Sequence, residues 1–117
     1  MGRLSTHVLD TVNGKPAAGV AIALDALLPD GGRKRIADAV TNADGRTDQP
    51  LLSGRLPVGS YELTFAIGDY FRHLGTPLAD PAFLDLVPIR FAVAEPQGHY
   101  HVPLLASPWS YSTYRGS

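Results

Sequence analysis

The sequence predicts an all-β sandwich, and three observations carry that reading. Extended-type runs are short, about seven or eight in number, and turn signals part them roughly every 8 to 12 residues. Several of the runs alternate apolar and polar side chains with the period of two expected of a half-buried strand. Only one segment, Tyr70 to Leu74, reads as a helix.

Arg3 to Thr11 favours extended structure and ends at the Asn13-Gly14 turn. It is predicted as the first strand, with Leu4, Thr6 and Val8 on one side and Ser5, His7 and Leu9 on the other. Gly19 to Leu28 follows, with Val20, Ile22 and Leu24 sharing a face. Pro29-Asp30-Gly31-Gly32 breaks it, and Arg35 to Thr41 reads as a more polar third strand. Asn42-Ala43-Asp44-Gly45 is another turn and delivers Arg46 just beyond the glycine. Around Leu51 and Leu52 the pattern allows at most a short edge strand. Tyr61 to Ile67 alternates clearly, with Tyr61, Leu63 and Phe65 on one face. Asp69 is placed to cap the short helix, which Gly75 and Pro77 stop. A proline-rich loop then leads to a strand over Ile89 to Ala94, and Pro96-Gln97-Gly98 turns the chain into its last part.

That last part runs from His99 to Ser117 and is organised as two extended runs around a Ser107-Pro108 break. In the first, His99, His101, Pro103 and Leu105 share one face and Tyr100, Val102, Leu104 and Ala106 the other. In the second, Tyr111, Thr113, Arg115 and Ser117 alternate with Ser112, Tyr114 and Gly116.

Composition bounds the function. A chain of 117 residues fits one domain spanning positions 1–117. Ten basic and eleven acidic side chains nearly cancel, which argues against nucleic acid or an anionic membrane as partner and favours a small molecule or another protein. There is no cysteine, so disulfides, thiolate nucleophiles and finger-type zinc sites are excluded. No stretch reaches the ~20 apolar residues of a spanning helix, and the N-terminus lacks the apolar core of a signal peptide. A cytoplasmic location is the expectation.

His7, His99 and His101 are the side chains best able to exchange protons near neutral pH. The two rings of His99-Tyr-His101 project from one face and could meet a metal, with His7 reaching in from another strand, although no third ligand stands at usable spacing. The sequence contains no nucleophile-elbow serine, phosphate loop, dinucleotide fingerprint or paired-carboxylate motif. Read from the residues alone, the chain is a β-sandwich with possible histidine chemistry.

Three stretches resemble a known family: Leu4-Ser-Thr-His7-Val-Leu-Asp10, Asp44-Gly-Arg46, and His99-Tyr-His101-Val-Pro-Leu-Leu together with the terminal Tyr114-Arg-Gly-Ser117. Gly14-Lys-Pro-Ala17 and Gly68-Asp-Tyr-Phe71 extend the likeness over the whole length. The chain is similar to the transthyretin-related 5-hydroxyisourate hydrolases of urate degradation. It departs from their pattern at Ala106, where a third leucine is usual, and at Trp109-Ser110, where a Tyr-Gly pair is usual.

The resemblance implies a transthyretin-like sandwich of two four-stranded sheets with one short helix, assembled as a homotetramer, a dimer of dimers whose clefts bind a purine-derived small molecule. His7, Arg46 and His101 match the family's catalytic residues, with His7 and Arg46 also touching substrate. Tyr114 and Ser117 match residues that line the substrate pocket, and His99 matches a nearby supporting position. No metal or cofactor is implied. The implied reaction is water attack on the C6 carbonyl of 5-hydroxyisourate, giving 2-oxo-4-hydroxy-4-carboxy-5-ureidoimidazoline. A histidine would accept the proton and Arg46 would stabilise the oxyanion. The rival is a small-molecule carrier on the same fold, without catalysis.

Overall fold

The computed structural model describes residues 1–116; Ser117, assigned to the pocket by its motif, lies outside the described residues. In chain order the elements are β1 (Gly2–Ser5), β2 (Val8–Asp10), β3 (Lys15–Pro16), β4 (Ala21–Leu27), β5 (Arg33–Val40), β6 (Leu52–Gly54) and β7 (Gly59–Ala66). Then come α1 (Ile67–His73), β8 (Leu86–Val93), β9 (His99–His101), β10 (Leu104–Ala106) and β11 (Tyr111–Thr113).

One layer is a four-stranded antiparallel sheet in the order β5-β4-β7-β8. The opposing layer is divided along its length into two pieces, β6-β1-β9 and β11-β10-β2-β3. In it the first strand and the strand near the end of the chain run parallel, β1 beside β9 and β2 beside β10. The pieces remain joined, because the Val102 N–H donates to the Ser5 carbonyl and the Leu104 N–H to the His7 carbonyl, both at 2.9 Å.

Between the layers Leu4, Val8, Leu24, Leu63, Phe65 and Leu104 are buried without measurable exposure. These come from residue sets that alternation placed on one face of each strand, which is how a period-two pattern becomes a core.

The expected first strand, Arg3 to Thr11, is interrupted at Thr6-His7. There the Thr6 hydroxyl takes the Val102 carbonyl at 2.6 Å. Beyond the gap the Val8 N–H turns to the Gly45 carbonyl at 2.8 Å. The expected boundaries move elsewhere for similar non-local reasons. β5 begins at Arg33 because Arg33 pairs with Leu27, and a bulge at Leu24/Asp25 absorbs the offset. β8 begins at Leu86 and includes Pro88, which the sheet accepts because β8 is an edge strand.

The helix starts at Ile67, so Asp69 is not its cap. The Asp69 carboxylate instead lies in the first turn and accepts from Arg72 at 2.7 Å, while the Gly68 N–H finds the Asp85 carbonyl at 3.0 Å. The far end is as expected: Gly75 adopts φ +80°, and its N–H and that of Thr76 return to the Arg72 and Phe71 carbonyls.

Two polar clusters brace the fold. On the outer face of β4 and β7, Asp25 and Glu62 stand directly opposite one another and are buried. Like charges in that position repel; Arg33 bridges them, Arg35 binds Asp25 at 2.6 Å and Arg90 binds Glu62 at 2.7 Å.

At the end of β2, buried Asp10 accepts from the Val12 and Asn13 N–H groups, the Asn13 amide and the Tyr70 hydroxyl. Burial opposes its ionisation, but the bonds from Asn13, Tyr70 and Val12 outweigh it and hold the carboxyl below its ordinary value. The Tyr70 phenol is pushed up, by burial and then by Asp10.

Tyr70→Phe removes one donor to a buried carboxylate and should cost about 1 to 2 kcal/mol in urea unfolding near neutral pH. A depressed carboxyl stabilises the fold above its ordinary value and loses that stabilisation as pH falls through the folded-state value. The deficit of the variant should therefore shrink once Asp10 is protonated.

Candidate active site

The parallel register of β1 and β9 sets Ser5 opposite His101 and Arg3 opposite His99. Because Ser5 and His7 alternate with buried Leu4, Thr6 and Val8, both face away from the core, where they are half-buried. His101 is likewise half-buried, between buried Tyr100 and Val102.

Arg46 is brought to this face by a turn that the sequence builds locally. The Asn42 side-chain oxygen accepts from the Asp44 and Arg46 N–H groups, at 2.9 and 3.2 Å, and the Gly45 N–H returns to the Asn42 carbonyl. The turn is then fastened to the strand after His7. Gly45 has φ +73°, and a Cβ there would collide with the Val8 carbonyl oxygen, so only glycine lets the loop lie this close. The His7 ring completes the attachment by donating from Nε2 to the Asp44 carbonyl at 2.9 Å. A carbonyl can only accept, so in neutral His7 the free lone pair is on Nδ1.

The His101 ring has its Nδ1 2.9 Å from the Ser5 hydroxyl. Its flank is covered by the chain end: the Gly116 N–H donates to the His101 carbonyl at 2.7 Å, and a Cβ on Gly116 would stand 2.9 Å from His101 Cδ2. Burial, then the positive charge of Arg46, then His7 and Arg3, hold the His101 pKa below the ordinary imidazole value of 6.5. An imidazole held toward its uncharged form thus lies within electrostatic reach of a permanent guanidinium and of a second imidazole. That combination can take a proton from water and stabilise an oxyanion.

The other residues assigned by sequence are less closely engaged. His99 is exposed, with Nε2 3.1 Å from the Met1 carbonyl, and its own carbonyl accepts from Arg115. Tyr114 is exposed, while its neighbour Arg115 lies over the Tyr100 ring at 4.1 Å. The three imidazoles thus have separate partners, and among the described residues no group of three or more histidine, aspartate or glutamate side chains is placed to hold a metal ion. Ser5, Arg3 and the Asp44 carbonyl join the site without having been singled out by the sequence. The only signal for Ser5 is that it shares a strand face with His7.

A family model described as the HIUase/Transthyretin family matches residues 4–116. The chain belongs to this family. Among its relatives, a 5-hydroxyisourate hydrolase of Mesorhizobium japonicum is 62% identical over 118 residues, covering 99% of this chain and 93% of the relative. The crystal structure of an (S)-allantoin synthase superimposes with a TM-score of 0.93 at 50% identity, covering 99% of this chain but only 44% of that longer one. The structure of 5-hydroxyisourate hydrolase from Klebsiella pneumoniae is 38% identical, with a TM-score of 0.82 and full coverage of both chains. The layered architecture of the HIUase/Transthyretin family is thus the one found here. Among the described residues no helix is long and apolar enough to cross a membrane.

Two substitutions test the geometry. Gly45→Ala should cost about 2 kcal/mol or more in urea unfolding, from left-handed backbone strain and the closed gap to Val8. Arg46→Gln should raise the His101 pKa, read from its ring protons by NMR titration, without carrying it past the ordinary value, since burial, His7 and Arg3 remain.

Proposed function

We propose that this protein hydrolyses 5-hydroxyisourate in urate degradation. The observation that supports it most is the gathering of His7 and Arg46 about His101, on a chain whose high-identity relatives carry that activity in their names. His101, held uncharged, accepts a proton as water attacks the C6 carbonyl, and Arg46 stabilises the oxyanion that forms. Collapse of the adduct breaks the bond from C6 to the ring nitrogen. That nitrogen leaves with the proton from His101, giving 2-oxo-4-hydroxy-4-carboxy-5-ureidoimidazoline. His7, fixed through the Asp44 carbonyl, orients water or substrate. No metal or cofactor enters these steps.

Tyr114, Ser117 and His99 are assigned to substrate contacts by the motifs they match. We place the working enzyme in the cytoplasm as a homotetramer, a dimer of dimers. The open edges of β8 and β11 and the exposed Trp109, Tyr111 and Tyr114 support further pairing of the chain. The polar face formed by His7, Arg46 and His101 argues against a carrier of apolar rings, which would have to desolvate these groups for no gain.

Freshly generated 5-hydroxyisourate, followed by its absorbance, should decay faster with the protein than in buffer, and His101→Ala should slow that decay by about 10²-fold or more. The rate should fall as pH drops through the depressed His101 pKa. Decay no faster than the buffer blank would end this reading.

A further inference from the structure

Among the described residues the side-chain hydrogen-bond partner of the His101 ring is Ser5, a residue 96 positions away and directly opposite in the β1/β9 register. Resting on the hydrolytic reading, we propose that Ser5 is a positioning residue: its hydroxyl holds Nδ1 of His101 and leaves Nε2 as the nitrogen presented to water and substrate.

Geometry on both sides of the ring supports this. The Ser5 Oγ lies 2.9 Å from Nδ1, in a partly buried setting, and is the one side-chain hydrogen-bonding partner of His101 among the described residues. Gly116 closes the opposite flank, where a Cβ would come within 2.9 Å of Cδ2, 3.2 Å of Cβ and 3.3 Å of Cγ. Ring rotation is therefore limited by packing at carbon and by one hydrogen bond at nitrogen. Arg46, His7 and Arg3 act on the same ring through charge and form no hydrogen bond with it.

The chemistry of the partner matters as well. His7 is held by a carbonyl, which accepts only and so fixes a proton on Nε2. Ser5 is a hydroxyl, and its oxygen accepts from Nδ1–H when the lone pair of His101 is on Nε2, as a base working at Nε2 requires. A base that gains and loses a proton at Nε2 in each turnover keeps its Nδ1 proton, and with it this anchor, throughout. A strand position tolerates the β-branched threonine, so the hydroxyl can be kept while the residue is changed.

The test compares Ser5→Ala with Ser5→Thr in steady-state hydrolysis of 5-hydroxyisourate, alongside the ¹⁵N resonances of the His101 ring. Ser5→Ala should lower kcat by about 10- to 100-fold with KM within about twofold, the scale set by losing the orientation of a catalytic group. Its His101 Nδ1 resonance should move, and Ser5→Thr should restore both. Unchanged kcat in Ser5→Ala would overturn the proposal, as would an unmoved Nδ1 resonance or a loss confined to KM. If Ser5→Ala does not fold, Ser5→Thr and Ser5→Cys give the same comparison: wild-type kcat and Nδ1 resonance in the poorly hydrogen-bonding thiol variant would overturn it. Should the wild-type protein itself leave 5-hydroxyisourate intact, the hydrolytic reading fails, while the Nδ1 resonance still reports whether Ser5 holds the ring.

Discussion

The candidate site depends on the parallel pairing of the first strand with the strand near the chain's end. Ser5 faces His101 and Val8 faces Leu104 only in that register. A slip of one residue would turn each polar set toward the core and each apolar set outward. The buried partners Leu4, Val8 and Leu104 therefore hold the imidazoles on the outer face as firmly as any bond made by the rings themselves. The interruption at Thr6-His7 lies within the same pairing, which the Val102 and Leu104 N–H groups carry across it. Just beyond it the Val8 N–H donates to the Gly45 carbonyl and fastens that loop.

From that attachment the electrostatics follow. The Asn42 turn and the glycine contact with Val8 carry Arg46 to the side where His101 emerges, so a permanent positive charge stands near an imidazole already penalised by burial. The same guanidinium that disfavours a charged histidine is available to an oxyanion. Elsewhere charge serves the fold, since Asp25 and Glu62, opposed across β4 and β7, are tolerable only because three arginines span them.

Much of this was legible in the sequence because it follows from local rules. Alternation set Leu4, Thr6 and Val8 on one side of the strand and Ser5 and His7 on the other, and the burial pattern separates them in the same way. The turn residues Asn42 to Gly45 indicated that Arg46 would leave a tight bend. What escaped was non-local. Asp69 is a plausible cap by composition, yet Arg72 takes its carboxylate and Asp85 takes the helix donor. Ser5 and His101 are 96 residues apart, and nothing in either segment announces the other. Parity along His99-Tyr-His101 predicted a shared face but not separate fates: one ring reaches the Met1 carbonyl and the other the Ser5 hydroxyl.

Pro88 has a consequence beyond its own strand. β8 is the rim of its sheet, with Leu86, Pro88, Arg90 and Ala92 turned to solvent. An approaching strand would find a missing donor midway along that rim. Only alignments that leave this spot unpaired can form without losing a hydrogen bond, so one imino acid narrows the ways in which two molecules can be stitched together there.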